Sequence, residues 1–255
     1  MARSFGKKSV VVLGGYDVAA VPSLGYGAVL DPGLKDRVKY VLERADAVLP
    51  VDAGLCRDAE ENLGIDVNGF RVLPTGYDPG MFHPAGEKDG SVLTISAGSS
   101  WSRARVKGLD LFVEAAADLP RLDFILVGPT GEALDRLKSN ASRNVQFHPP
   151  VPYESTVSYY QRAKVYAQLS YREGLPNAVC ESMLCECVAI GSDVPGVRSA
   201  IGEEGLLVPY GNVPEIVTAI EKALGMDGAR GRVRIQNLFS MDKRKNGLKE
   251  VLDGL

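Results

Sequence analysis

From residue 91 onward, short runs of β-branched and other apolar residues alternate with longer amphipathic stretches. This alternation constrains the fold most, because strands that are joined by crossover helices build a parallel sheet. It predicts strands at residues 91–96, 123–127, 144–147, 164–169, 187–191 and 206–208. It predicts helices at residues 108–118, 131–139, 153–162, 176–185 and 213–224. These elements are enough for a complete doubly wound α/β domain.

The first 85 residues carry fewer elements. They predict strands at residues 9–13, 47–51 and 70–73 and helices at residues 34–44 and 52–63, whereas a full nucleotide-fold half has about six strands. The segment 79–90, rich in glycine, proline and charge, is typical of a hinge. We therefore expect a partial Rossmann-like domain at residues 1–85 and a complete one at residues 86–230. A helical segment at residues 231–255 is expected to pack back across the hinge.

Composition excludes several classes of protein. The chain is 45% hydrophobic and 24% charged with a net charge of −3, so it lacks the basic balance of a general nucleic-acid binder. It has no apolar run of about 18 residues that could span a membrane. Residues 1–8 lack the apolar core of a secretory signal, and a cytoplasmic location is expected. The four cysteines fit no usual zinc spacing and are expected to be reduced and packed.

Two carboxylates, Glu173 and Glu181, flank a predicted helix start. Pro176 suits the first helical position, and Gly174 lets the backbone approach a ligand closely. Glu181 would lie roughly 7 Å further along the helix axis, with free N–H groups and the positive end of the helix dipole in between. A phosphate held between two hydroxyl-binding acids describes a sugar nucleotide. The ordinary alternative is a helix start with two solvated glutamates.

A second candidate feature is the basic segment 101–108, which follows the predicted strand 91–96 and contains Arg103, Arg105 and Lys107. The carboxyl ends of parallel strands are where ligands bind in open α/β sheets. Phosphates attract such charges, and arginine can bind them in a bidentate manner. A basic loop exposed to solvent is the alternative.

Residues 170–209 carry a longer pattern. They contain Ser170, E-G-L-P-N at residues 173–177, E-S-M-L-C at 181–185, I-G-S-D-V-P-G at 190–196 and G-L-L-V-P at 205–209. This stretch closely resembles the signature region of the retaining GT-B glycosyltransferases of family 4. The resemblance implies a GT-B-like fold and a metal-independent hexosyltransferase. Its donor would be a nucleoside diphosphate sugar, its acceptor is not specified, and no cofactor is implied.

The same resemblance implies roles for individual residues. The K-G-L-D run at residues 107–110 resembles the family's K-G-x-D, whose lysine binds the donor diphosphate, so Lys107 takes that role. Glu173 matches the acid that contacts the donor sugar, and Glu181 matches the acid that holds the ribose hydroxyls. The backbone around these acids is implied to face the donor at Gly174, Leu175, Asn177 and Ala178.

The family's partner arginine directly follows a glycine, but here Gly98 is followed by serine. Arg103 is the first substitute and Arg105 the second, so the implied catalytic residues are Glu173, Lys107 and Arg103. Gly128 matches a glycine that lines the donor cleft, and a tight strand-to-helix turn explains it equally well.

Other departures affect the acceptor side. The earlier strands of the family's N-terminal domain are absent, and the family's histidine before Gly15 is replaced by Gly14. Glu186 replaces the glycine that ends the family's signature helix, so this turn is expected to take another shape. These departures keep an alternative open: a sugar-nucleotide-binding module, or a half-enzyme that needs a partner chain to supply the missing strands.

The C-terminal stretch 231–255 is rich in arginine and lysine. It predicts either a solvated helix or, as in some family members, a basic face that rests on an anionic membrane surface.

Overall fold

The computed structural model describes residues 6–255. The chain divides into two compact units, one containing residues up to Gly76 together with Met241–Leu255, the other Tyr77–Ser240. The predicted division at residues 85 and 230 remains a prediction, as does the packing of residues 231–255 across the hinge. Residues 1–5, which belong to the predicted signal-free N-terminus, lie outside the described part of the chain.

The described part of the smaller unit contains a two-stranded parallel sheet and three α-helices. Its elements are β1 (Val10–Leu13), α1 (Pro32–Arg44), β2 (Ala47–Pro50), α2 (Gly54–Leu63) and α11 (Met241–Asp253). Helix α1 begins at a proline because Asp31 caps it, accepting a hydrogen bond from the Leu34 N–H at 2.9 Å. Leu49, Leu73 and Val251 form its buried core cluster.

The strand predicted at residues 70–73 is wrong. Arg71 and Leu73 donate their N–H groups to the Val48 and Pro50 carbonyls at 3.0 and 2.8 Å, but no strand forms. The Phe70 N–H is already used in a turn with Val67, and proline at position 74 cannot donate to a ladder. Too few residues remain between the turn and the proline for a strand.

The larger unit contains a six-stranded parallel sheet that is covered by helices. Its strands are β3 (Val92–Gly98), β4 (Phe124–Pro129), β5 (Val145–His148), β6 (Val165–Gln168), β7 (Val188–Ser192) and β8 (Leu206–Val208). Its helices are α3 (Trp101–Val106), α4 (Leu109–Asp118), α5 (Gly131–Asn140), α6 (Thr156–Arg162), α7 (Asn177–Leu184), α8 (Pro195–Ile201), α9 (Val213–Leu224) and α10 (Ala229–Leu238). The predicted α/β class with parallel sheets is confirmed.

The strand order of the larger sheet is β5-β4-β3-β6-β7-β8. After β3 the chain adds β4 and β5 on one side of it, and after β6 it adds β7 and β8 on the opposite side of the sheet. The order in which strands are added to the sheet therefore reverses between β3 and β6, which is the switch point of the sheet. The crevice at the carboxyl ends of these two strands is the usual ligand site in such a sheet. The core lies between sheet and helices, where Phe112 packs edge-to-face on Phe124 at 5.1 Å between ring centroids.

Two short helices were not predicted. The segment expected to be a basic loop forms α3, because Ser100 caps it by accepting a hydrogen bond from the Arg103 N–H at 3.3 Å. Helix α8 begins at Pro195, whose fixed φ suits a first helical position. Both helices are too short to show a periodic apolar pattern. All four cysteines are free, and Cys180, Cys185 and Cys187 are buried, as expected for packed thiols.

The turn after α7 contradicts the expectation that its glutamate would give it another shape. Glu186 takes the left-handed conformation, with φ of 62°. The Glu186 N–H bonds to the Met183 carbonyl and the Cys187 N–H to the Ser182 carbonyl, both at 3.0 Å. These two bonds are those of a Schellman motif, which normally ends in glycine. The hydrogen bonds hold the strained residue in place.

Glu186→Gly should therefore stabilise the protein. Removing the Cβ relieves the left-handed strain, and we expect a gain of about 1 kcal/mol in the free energy of unfolding. This corresponds to a rise of about 2–4 °C in the melting temperature. Thermal and urea unfolding measure it, with Glu186→Ala as control, since alanine removes the charge but keeps the Cβ. Equal stability of the two variants would contradict the explanation.

Candidate functional site

The switch-point crevice is built by close contact between the α3–α4 junction and the end of β6. Gly108 has φ of 65°, and a Cβ at this position would lie 2.0 Å from the Leu169 carbonyl oxygen. The Tyr171 N–H donates to the Val106 carbonyl at 2.8 Å. Only glycine allows this approach, which brings Lys107 from one side of the switch point to the residues that follow β6.

Lys107 and Glu173 meet at this point. The Lys107 Nζ lies 2.7 Å from Oε1 of Glu173, and the two side chains are 23% and 10% exposed. The same oxygen accepts hydrogen bonds from the Gln168 Nε2 at 3.0 Å and the Ser170 Oγ at 2.8 Å. Among residues 6–255, no donor is within hydrogen-bonding distance of the other oxygen, Oε2. The carboxylate is thus anchored through one oxygen, and the other is available to a ligand.

The anchoring groups continue into the sheet. The Gln168 Nε2 also donates to the Ser170 Oγ at 2.7 Å, and the Gln168 Oε1 accepts from the Tyr166 hydroxyl at 3.2 Å. All three side chains are buried, with 5% exposure or less. Sequence reasoning assigned no role to Tyr166, Gln168 or Ser170. The sequence signal for Tyr166 and Gln168 was a hydroxyl and an amide two residues apart in an otherwise apolar strand, because alternate residues of a strand lie on the same face.

Helix α7 begins beside this pair. Pro176, predicted at the first helical position, lies just outside it as the N-cap, and Asn177 is the first helical residue. The Asn177 Oδ1 accepts a hydrogen bond from the buried Tyr77 hydroxyl at 2.9 Å. In the described part of the chain, the N–H groups of Leu175, Asn177 and Ala178 have no acceptor. Free N–H groups at a helix start attract anions, and the binding of a donor phosphate here remains a prediction.

The loop at Glu173 and Gly174 rests on helix α8. A Cβ at Gly196 would lie 1.5 Å from the Gly174 carbonyl oxygen and 2.9 Å from that of Glu173. The backbone of α8 therefore lies directly against the loop. Gly196 supports the position of Glu173 although sequence reasoning gave it no role.

Glu181 is buried. It was predicted to hold the ribose hydroxyls of the donor, with a solvated glutamate as the ordinary alternative, and its side chain is only 3% exposed. Its Oε1 accepts from the Tyr153 hydroxyl at 2.9 Å, and its Oε2 accepts from the Tyr160 hydroxyl at 3.0 Å. Glu181 lies in the second turn of α7, further along the helix than Glu173 as predicted, and it faces inward toward these tyrosines.

Burial also changes the acidity of this carboxyl. Desolvation raises the pKa of Glu181 above its ordinary value of 4.5, and the hydrogen bonds from Tyr153 and Tyr160 partly oppose the rise. The folded protein therefore holds this proton more tightly than the unfolded chain does.

The pKa shift predicts a pH dependence of stability. The stabilising contribution of Glu181 should be complete below 4.5, its unfolded value, and should be lost as the pH rises through its folded-state pKa. Glu181→Gln stays neutral throughout. The free energy of unfolding of wild type minus that of the variant should therefore decrease as the pH is raised, in urea titrations from about pH 4 to pH 7. A difference that stays constant or increases with pH would contradict this assignment.

The two candidate arginines lie in different surroundings. A Cβ on Gly98 would lie 3.2 Å from Cδ of Arg103, so the Arg103 stem crosses the end of β3. No carboxylate among residues 6–255 pairs with its guanidinium. The Arg105 Nε lies 3.8 Å from Oδ2 of Asp110, which neutralises part of its charge. The guanidinium of Arg103 is therefore the less neutralised of the two, and its role as the phosphate-binding partner of Lys107 remains a prediction.

Gly128 lies at the end of β4 with φ of 110°, and a Cβ there would come 2.9 Å from the Ser96 carbonyl oxygen. The close approach of two strands is a sufficient reason for glycine at this position. Contact with a ligand remains a prediction.

The arginines of α10 are used internally. Arg232 donates to the carbonyls of Phe82 and Leu184, and Arg234 donates to those of Ser199 and Ala200. Arg230 pairs with Glu204. These contacts leave α10 little free charge for a membrane surface. None of the helices in the described part of the chain is long and apolar enough to cross a membrane.

The fold and the charged crevice define a doubly wound, nucleotide-fold α/β protein. The family model described as "Glycosyl transferases group 1" matches residues 92–226, and the chain belongs to this family. The match covers β3 through α9 and thus includes Lys107, Glu173 and Glu181.

Solved structures of low sequence identity share the fold. Sucrose-phosphate synthase from Thermosynechococcus elongatus is 22% identical with a TM-score of 0.80, and the match covers 97% of this chain and 68% of that one. HepE from Anabaena, solved with UDP and glucose, is 15% identical with a TM-score of 0.84 and coverages of 100% and 73%. Both are GT-B glycosyltransferases, so the predicted GT-B-like fold is confirmed.

Curated relatives are longer. D-inositol 3-phosphate glycosyltransferase from Nocardia farcinica is 27% identical over an alignment of 213 positions with gaps, and the match covers 73% of this chain and 47% of the relative. The enzyme of the same name from Acidothermus cellulolyticus is 26% identical over an alignment of 268 positions with gaps, with coverages of 90% and 58%. The chain spans about half the length of these relatives.

Proposed function

We propose that this protein binds a nucleoside diphosphate sugar and transfers its hexose to an acceptor hydroxyl with retention of configuration, as a family 4 enzyme. The observation that carries the proposal is the contact of 2.7 Å between Lys107 and Glu173 at the switch point of the sheet. In the proposal, the cation binds the donor phosphates and the acid binds the donor sugar, and the free N–H groups at the start of α7 follow Glu173 along the chain.

In the proposed reaction, the bond between the anomeric carbon and the diphosphate breaks. A bond from that carbon to the acceptor oxygen forms on the same face, and the proton of the hydroxyl ends on the released nucleoside diphosphate. Lys107 and Arg103 stabilise the charge that develops on the leaving diphosphate. This role needs no metal ion or cofactor, so activity is expected to persist in a chelator.

Glu173 would accept a hydrogen bond from the donor sugar through Oε2. The N–H groups of Leu175, Asn177 and Ala178 would face the phosphates or the sugar. Glu181 would hold the ribose hydroxyls, because each carboxylate oxygen can accept more than one hydrogen bond. Tyr153 is 53% exposed and would move aside or share the oxygen.

The test is a panel of UDP- and GDP-sugars with the purified chain, in the presence of a chelator. UDP-glucose is the first choice because the Anabaena relative was solved with it. Transfer to added acceptors and slow donor hydrolysis are followed by NMR, which also reads the configuration of the product. A chain that binds no donor and turns none over would refute the proposal.

The smaller unit supports a second candidate function, a half-enzyme completed by a partner chain. One edge of β2 bonds to β1 and the other to residues 71–73, while no strand among the described residues covers the outer edge of β1. Val12, Tyr40 and Val41 are 48%, 58% and 45% exposed in this unit. An open strand edge with exposed apolar side chains is a typical pairing surface. This candidate predicts donor binding without turnover, and activity when a partner chain is co-expressed; an active monomer excludes it.

A further inference from the structure

The end of β6 is polar where a core strand is normally apolar. All four residues of β6 are buried, yet Tyr166 and Gln168 carry polar groups and lie on the same face of the strand. Leucine would fill the space of Gln168 with no polar group to satisfy. A buried amide is costly unless its hydrogen bonds are made.

The hydrogen bonds of Gln168 fix the orientation of its side-chain amide. The Tyr166 hydroxyl donates to the amide oxygen at 3.2 Å. This bond turns the amide nitrogen outward, where its two N–H groups donate to the Ser170 Oγ at 2.7 Å and Oε1 of Glu173 at 3.0 Å. The Ile95 N–H in β3 donates in turn to the tyrosine hydroxyl at 3.4 Å. The chain of contacts thus begins in the neighbouring strand and ends at Lys107.

From this geometry we propose that Gln168, oriented by Tyr166, is a positioning residue of the donor site. It holds Oε1 of Glu173 toward Lys107, which leaves Oε2 free for the ligand and keeps the ammonium group at the switch point. The role of Gln168 in donor binding rests on the proposed function. The arrangement of the two charged side chains, however, can be tested without any ligand.

The first experiment measures the accessibility of Lys107 in the free protein. The rate of acetylation by a water-soluble acetylating reagent is read for each lysine by peptide mass spectrometry. In Gln168→Leu and in Tyr166→Phe, Lys107 should react about two- to fivefold faster, because the ion pair is less well held. Lys222, on the exposed side of α9, is the internal reference, and Gln236→Leu on α10 is the matched control. Unchanged protection of Lys107 in both variants would overturn the proposal.

The second experiment is a double-mutant cycle on donor binding, measured by calorimetry with UDP-glucose. Gln168→Leu should weaken binding about 10-fold in the wild-type background. In a Glu173→Gln background the same change should cost less than about twofold, because Gln168 acts through the Glu173 carboxylate. A purely structural role would give equal losses in both backgrounds and would overturn the proposal.

The two experiments separate the two proposals. If the wild-type chain binds no sugar nucleotide, the proposed function fails, and the acetylation rates still decide whether Gln168 positions Lys107. If the wild type binds UDP-glucose but the rates and the cycle show no coupling, only the positioning role fails.

Discussion

Replacing Lys107 by methionine should lower turnover of the donor about 100- to 1000-fold, the usual cost of removing one group that stabilises charge on a departing oxygen. Methionine retains the packing of the aliphatic stem and removes only the charge. The effect should be large because the Lys107 side chain is only 23% exposed and its ammonium group is held 2.7 Å from Glu173, so water cannot take over its role with the same charge and geometry. Steady-state transfer or donor hydrolysis measures turnover.

Affinity for UDP should fall in the same variant, because UDP retains the diphosphate. Lys222→Met, an exposed position on α9, is the matched control and should behave as wild type. Turnover by Lys107→Met within about threefold of wild type would exclude this lysine from the leaving-group site. Arg103→Ala and Arg105→Ala complete the comparison, and the larger loss is expected for Arg103, whose guanidinium has no carboxylate partner among the described residues.

Gly196→Ala should damage both stability and the site. Its Cβ would be 1.5 Å from the Gly174 carbonyl oxygen, a distance that neither backbone can tolerate. Helix α8 or the loop of Glu173 must shift, and we expect a loss of about 3 kcal/mol in the free energy of unfolding. The melting temperature should fall by about 6–12 °C, and donor binding should weaken because Glu173 moves.

Gly225→Ala is the matched control for this prediction. It lies in the same unit, at the end of α9, and its Cβ would have as nearest neighbour the Lys222 carbonyl oxygen at an ordinary 3.7 Å. Calorimetric unfolding and UDP-glucose binding are measured on both variants. Equal stability of the two alanine variants would mean that the contact between α8 and the loop is not rigid.

Most of the larger unit could be predicted because its signals are local and repeated. Apolar runs with turns between them placed the strands within a few residues, and β8 and α9 have the predicted bounds. The errors fall where the pattern is short. Helix α3 depends on a single capping serine, and the failed strand at residues 70–73 depends on a turn and a proline that interrupt pairing.

The candidate site was only partly predictable, for a different reason. Lys107 and Glu173 lie in short sequence motifs that can be recognised without a structure, and the sheet topology brings the two residues together. Tyr153 and Tyr160 act through contacts with Glu181, which lies 28 and 21 residues away from them in the sequence. Such contacts leave no spacing to recognise. The burial of Glu181 likewise depends on which side chains pack over it.

The amino-acid sequence by itself determined the parallel α/β architecture and the types of charged group that the site would contain, because periodicity, turn residues and short motifs act over a few neighbouring positions. Only the tertiary structure decided which groups face each other. The order of the strands brought Lys107 to Glu173, and packing between helices enclosed Glu181 with two tyrosines. Burial and hydrogen-bond geometry depend on distances between segments that are far apart along the chain, and no local pattern encodes them.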